Sequence, residues 1–511
     1  MTEARKWVKE AEGYVGDLLK NVGDEKSVVL GRTAEAFERI NSLAVLQART
    51  GDQETAKRNF TKAMKLAPSA GPKIGDPNPY GTALCQIAKA QAEAGLFDLA
   101  EKTMLMPQIG GNSKMGAASF IVRTEAATGE FERAKKFAAL FENNSSLFYQ
   151  IAKAEAKAGR FEDAKKTSNK PKSLIEIALC EAEAGDLEAA NKTLDCAKKS
   201  SEQDPRGSDC YYVLIAQAQA KIGQEEAARE TVQLIQGLPG WHRPTFLRAA
   251  EIVFKFGEKK LALKMLEEAK SKARNPHKLC SIAIAEAKFV DKRTASNTFD
   301  QAWVEAEKRQ NKDNRYRDFK EIAAAKATAG FHSAAEADAI RFPDQERSFL
   351  KQIARAQAKA GLYGLAKNTA RKAGRGYVDQ LFLKIAVLQA SNGELAKARS
   401  TLRSIKNPRV YDLLVVVNYE LDAGETRYVM ETVDFLENDV AEQFQKFWHI
   451  RAKVAEFLII AGYDEKLQPK YEAIKDRPAY ERFDFCLGAA KGYLKRIEDK
   501  NSSINNSGER E

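Results

Sequence analysis

Four basic residues recur at a spacing of four: Arg347, Lys351, Arg355 and Lys359. In a helix that spacing makes side chains neighbours along one stripe. Such a stripe can do one kind of chemistry well, which is to hold an anion. Arg offers a planar fork of donors matched to a carboxylate or phosphate, and Lys adds a compact charge beside it. The surrounding sequence sharpens the point. Between Arg347 and Arg409 there are 14 Lys or Arg and two acids, Asp379 and Glu394. The segment is therefore +12, while the whole 511-residue chain is +11, so the positive surplus sits here. A field of that kind speeds association with an acidic partner and weakens with salt.

Other chemistries lack their residues. The four histidines, His242, His277, His332 and His449, show no H-E-x-x-H spacing and no Ser or Cys elbow beside them. His242 follows Trp241 in a Gly/Pro loop, where it reads as a packing or capping residue. Cys85, Cys180, Cys196, Cys210, Cys280 and Cys486 are scattered with no C-x-x-C pair, so no zinc or redox site is read and most of them read as small core residues. Gly374-Arg375-Gly376 has no strand before it, so a dinucleotide reading fails. The expectation is a protein that is not an enzyme and uses no cofactor or metal. No apolar run reaches the roughly 18–20 residues that span a bilayer. Residues Met1 to Lys20 carry Trp7, Val8, Val15, Leu18 and Leu19 at helical spacing, without the apolar core of a secretory signal. The sequence thus predicts a cytoplasmic protein with no membrane partner.

The stripe must be held by something, and the chain repeats one motif: Ile-Ala-x-Ala-Gln/Glu-Ala-x-Ala-Gly. It stands at Ile87–Gly95, Ile151–Gly159 and Ile353–Gly361, and at Ile322–Gly330 with Lys326 in the amide or acid slot. With the glycine as landmark, thirteen repeats follow at Gly51, Gly95, Gly129, Gly159, Gly185, Gly223, Gly257, Val290, Gly330, Gly361, Gly393, Gly424 and Gly462, about 34 residues apart. Ala lies seven residues before the landmark in 11 of the 13 and five residues after it in 11 of the 13. Small residues on both sides of a turn let two helices cross closely. The glycine ends the first helix in a left-handed conformation. One helix pair cannot bury its apolar face alone, so neighbours must stack. The predicted fold is all-α, a solenoid of about thirteen helix-turn-helix repeats.

This pattern resembles the tetratricopeptide repeat family over roughly residues 30–475. Repeat 1 matches best, with Leu43-Ala44, Gly51, Ala56, Phe60, Ala63 and Pro68 at that family's offsets. Two features depart from it. The aromatic usual four residues before the turn is replaced by Gln or Glu, as at Gln47, Gln91, Glu125, Glu155 and Glu181, and the closing Pro is mostly missing. That polar ladder reads as a half-solvated rim, with a ligand-binding row as the alternative. In the family the first helix lines a concave groove, and the resemblance implies that Lys351, Arg355 and Lys359, with Arg317 and Lys320 of the preceding repeat, form a basic groove in repeats 9–10. Together with Arg347 these are the candidate partner-binding residues. The Asn residues of the family's carboxylate clamp are absent.

Residues 1–25 read as an N-terminal capping helix, 26–475 as the array, 476–499 as a C-terminal capping helix and 500–511 as a disordered tail. Loops such as Ala67 to Gly81 read as inter-repeat breaks, and Val429 and Leu467 mark the decay of the pattern after Gly424. The leading functional expectation is a scaffold or adaptor binding a partner protein or acidic peptide. A regulatory subunit docking on an enzyme is an alternative. The helix pairs also resemble pentatricopeptide repeats, which bind RNA. That family reads bases ten residues before the landmark, where most positions here hold residues unsuited to it, such as Ile175, Val213 and Leu247. Nonspecific nucleic-acid binding through the basic stripe stays open.

Overall fold

The computed structural model describes residues 1–20, 26–69, 78–142, 144–203, 208–236, 243–271, 273–405, 410–426, 449–474, 477 and 479–508. Trp241, His242, Val429 and part of the loop after Ala67 lie outside the described residues. Among the described residues every regular element is a helix. The chain is an all-α solenoid of paired helices. No described helix is long and apolar enough to cross a membrane.

The local cause is visible at each turn. All twelve landmark glycines have φ between 72° and 97°. The N–H of the residue after the glycine reaches back to the carbonyl four residues before it. Examples are Asp52 to Gln47 at 2.8 Å, Leu362 to Gln357 at 2.9 Å and Glu394 to Gln389 at 2.8 Å. That bond closes the helix C-terminus and leaves no room for a longer connection. Where the next residue is Asp it caps the second helix: Asp52, Asp186 and Asp291 accept from Thr55, Ala189 and Thr294. Val290 cannot take positive φ cheaply. It sits at φ −112°, ψ −92°, and its own N–H bonds Glu286 at 2.7 Å.

The small residues at the crossing behave as their spacing predicts. Ala44, Ala88, Ala152, Ala354 and Ala386 before the turn, and Ala56, Ala100, Ala164, Ala366 and Ala398 after it, are fully buried. The polar ladder differs from its expected rim position. Gln47, Glu125 and Glu155 are 0% exposed, and Gln91, Glu181, Gln357 and Glu420 are 1% exposed. Four Gln rungs meet a polar residue eight positions after the turn in their own helix pair: Asn59 Nδ2 donates to Gln47 Oε1, and Thr103, Thr231 and Thr401 hydroxyls donate to Gln91, Gln219 and Gln389, all at 2.7–2.8 Å. Glu rungs take cations instead: Glu181 and Glu286 stand 2.8 and 3.6 Å from Lys165 and Lys270 of the preceding pair, and Glu125 stands 3.5 Å from Arg133. A buried polar group is tolerable where such a partner meets it.

Two compact units divide the chain. One joins Met1–Ala154 to Arg409–Glu511 and the other is Glu155–Pro408. In the split unit the helices read as two caps pack on each other: Thr2–Gly13 lies against Ala479–Gly508. Trp7 meets Tyr471 and Phe485 edge to face at 5.3 and 5.9 Å, the Tyr14 and Tyr471 hydroxyls are 2.6 Å apart, and Arg39 pairs with Asp484 at 3.1 Å. His449–Ile460 crosses the same long helix at Gly488 and Gly492, where an added Cβ would strike the backbone of Ala452 and Glu456. The long helix continues to Gly508, over residues 500–508 that composition reads as tail; once a helix is nucleated, adding residues costs little. In the continuous unit the first helices stack in sequence: Pro171–Glu183, Ser208–Lys221, Arg243–Lys255, Pro276–Phe289, Lys312–Thr328, Glu346–Lys359 and Arg375–Ser391.

Candidate functional site

Within the continuous unit, the first helices of repeats 8 to 11 enclose a cavity of about 660 Å³. All four helices give its wall the residue nine positions before the landmark, and repeats 9 and 10 also give those six, five and two positions before it. Ser281, Glu321, Gln352, Arg355, Lys359 and Lys384, with His277 and Thr328, supply the polar lining, over a floor of Ala, Ile and Leu.

Of the six candidate residues, Arg355 and Lys359 line this cavity, and Arg317, Lys320, Arg347 and Lys351 do not. The reason is helical geometry. Each residue turns the helix by about 100°, so a step of four overshoots a full turn by about 40°. Three such steps carry the direction about 120° around from Arg347 to Lys359. The stripe therefore winds off the groove. Lys351 ends with Nζ 4.7 Å above the Tyr377 ring, and the Arg347 guanidinium lies beside Gly374. Arg317 and Arg347 are exposed, and Lys320 is half-buried.

Repeat 10 is crowded with positive charge. Burial, then the neighbouring Arg355, pushes the Lys351 ammonium below its usual pKa. Lys367 on the second helix is lowered in the same way, by burial and then Arg371. Arg355 Nε is buried and has no acceptor. Repeat 10 also breaks its internal polar pair: Thr369 turns to Glu336 of the preceding repeat at 3.3 Å, and Gln357 is left without a partner. A positively charged group with a buried, unmatched donor beside an open groove favours an incoming anion.

The opposite end of the groove is self-satisfied. His277 pairs through Nδ1 with Glu321 and through Nε2 with Asp318 at 3.1 Å, and Asp318 also takes Arg309 at 3.2 Å. With both ring nitrogens engaged, the imidazole has no free position from which to accept a substrate proton. Burial, then the nearby Glu321, pushes the Cys280 thiol up to about 12, so it stays protonated and unreactive. Cys85 and Cys486 are buried too, whereas Cys196 and Cys210 are exposed, so the cysteines are not uniformly core. Among the described residues no cluster of three His, Cys, Asp or Glu could hold a metal ion.

The stripe was visible in the sequence as charge at a spacing of four. Gln352 and Lys384 carried no such signal, and only counting back from the landmark glycine places them on the groove wall.

No family model and no curated protein matches the chain. Solved structures that match include the pentatricopeptide repeat protein PPR10 from maize. It is 12% identical over 96% of this chain and 92% of that one, with a TM-score of 0.24. The same maize protein in complex with an 18-nt psaJ RNA element matches at 13% identity over 98% and 79%, TM-score 0.25. Ton1535 from Thermococcus onnurineus NA1 matches at 16% identity over 75% and 99%, TM-score 0.25. Scores this low transfer no function. The helix pairs of the chain itself establish its fold.

Proposed function

We propose that this helical repeat protein is a non-enzymatic scaffold that holds an acidic segment of a partner protein in the first-helix groove of repeats 8–11. The observation that carries the reading is the pairing of Arg355 and Lys359 on one wall of that groove, with the buried Arg355 Nε lacking an acceptor. A carboxylate seated there would complete the guanidinium's hydrogen bonding and relieve the crowding among Lys351, Arg355 and Lys359. The Ala and Leu floor offers apolar area for the segment's backbone and side chains. Arg317, Lys320, Arg347 and Lys351 lie off the wall and would act at longer range, raising the association rate.

The test is fluorescence anisotropy of the full chain with a labelled acidic peptide and with its Lys-substituted counterpart. The acidic peptide binds, the basic one does not, and affinity falls with salt. Arg355→Glu with Lys359→Glu abolishes binding at an unchanged melting temperature. Arg317→Glu with Lys320→Glu slows association and leaves dissociation nearly untouched. Equal binding by wild type and the Arg355/Lys359 variant would sink the reading.

A further inference from the structure

Counting back from the landmark assigns one more feature to the same face. The residue two before the landmark is Lys221 in repeat 6, Lys255 in repeat 7, Lys288 in repeat 8 and Lys359 in repeat 10, with Thr328 between the last two. All four lysines are exposed. That neighbouring repeats bring this position side by side is directly visible at the start of the row. Lys221 Nζ reaches Glu183, the same position of repeat 5, at 3.2 Å. Lys288 lies 5.1 Å over the Phe289 ring, and Lys359 reaches the groove already described.

The charge of this row is invisible in the linear sequence, where the surplus falls entirely after Glu346. It emerges only when one position is read per repeat. Acids share the face: Glu183 is paired with Lys221, Glu321 is paired with His277, and Glu251 lies one turn before Lys255. Lys255 and Lys359 have no carboxylate within ion-pair distance among the described residues. Stacked helices lie about 8–10 Å apart, and an extended chain advances about 3.3–3.6 Å per residue. One repeat therefore matches about three residues of an extended segment.

We propose that Lys255, Lys288 and Lys359 form a register-reading row along which an extended partner segment lies, with carboxylates spaced at about multiples of three residues. The proposal rests on the groove reading above and adds the spacing of the occupant. The segment runs along the stack between repeat 7 and repeat 10, with one carboxylate at Arg355 and Lys359. A lysine in the last turn also suits the negative end of a helix, so the test must separate binding from helix stability.

Two labelled peptides of about 15 residues and equal composition serve as probes, one with Glu at every third position and one with the same Glu residues contiguous. The full chain binds the spaced peptide about tenfold more tightly. Lys255→Gln with Lys288→Gln removes that preference, and Lys255→Glu with Lys288→Glu weakens the spaced peptide further. Melting temperatures are followed in parallel. If these variants melt lower yet keep the preference, the lysines serve only their helix ends and the row is overturned. If both peptides bind equally and only Arg355→Glu with Lys359→Glu matters, the row is overturned and the groove stands. Tighter binding of a single-stranded RNA of similar length, or no binding of either peptide, overturns both.

Discussion

Lys326 donates to Asp338 at 2.8 Å in the slot where repeats 6 and 11 set Gln against Thr. The sequence offset is twelve in every case, so the same helix-pair geometry accepts a neutral bond or a full ion pair. The two side chains are 12% and 4% exposed. Repeat 9 thus explains its one departure from the motif: the Lys at an amide position is matched by an acid on the facing helix.

Separating that pair leaves a buried charge with only a weaker partner, Arg341 at 4.0 Å for Asp338 or the Trp303 ring at 5.4 Å for Lys326. Lys326→Gln or Asp338→Thr by itself should destabilise by about 3–5 kcal/mol. The double substitution installs the Gln–Thr chemistry of repeats 6 and 11 and should recover most of the loss. Denaturant unfolding of the four proteins as a cycle measures the coupling, and additive losses would show that the pair is not a unit.

Glu125 is the ladder residue with a pH dependence that can be read out. Burial, then the hydrogen bond and charge of Glu101, pushes its carboxyl up to about 8 from its ordinary value of 4.5. Arg133 partly offsets this, standing 2.6 Å from Glu101 and 3.5 Å from Glu125. Because the folded value is the higher one, the folded state holds a proton that the unfolded state has released. The resulting stability is complete below about 4.5 and is lost as pH rises through 8. Glu125→Gln should therefore match wild type near pH 4.5 and melt progressively higher than it toward pH 9. Parallel melting curves across that range would refute the shift.

At Gly488 an added methyl meets the Ala452 carbonyl, a backbone atom that cannot rotate away. Gly488→Ala should force Ala479–Gly508 off His449–Ile460 and cost about 3 kcal/mol or more. Gly16→Ala, where a Cβ meets nothing within 4 Å, is the control. Hydrogen exchange should rise in Thr2–Gly13, which rests on the same long helix. Protection unchanged there would mean the helices do not share one packing unit.

Much of the fold was legible because its determinants are local. A glycine with Ala at fixed distances on either side fixes a turn and a helix crossing, and every landmark glycine has the left-handed backbone its position requires. The −4 ladder was misread as rim because a polar residue between alanines looks the same whether it faces water or a Thr on the next helix. Only the eight-after partner, considered jointly, marks it as buried. The candidate groove was half legible for a similar reason. A spacing of four gives adjacency along a helix but drifts around it, so Arg355 and Lys359 share a wall that Arg347 does not. The pairing of Trp7 with Tyr471 had no local signal at all, since its partners are separated by nearly the whole chain.

That last contact sets an order of events during synthesis. Chains emerge from the ribosome N-terminus first, and compact units fold as they become complete. Trp7, Val8 and Ala11 of the first helix are buried against a helix made after all the other described elements. The continuous unit, Glu155–Pro408, can close while the chain is still being made, but the split unit must wait with an apolar face uncovered. A nascent chain stalled before residue 479 would therefore be the species that chaperones engage. Its release would track the arrival of Phe483 to Leu494 and not the number of repeats already stacked.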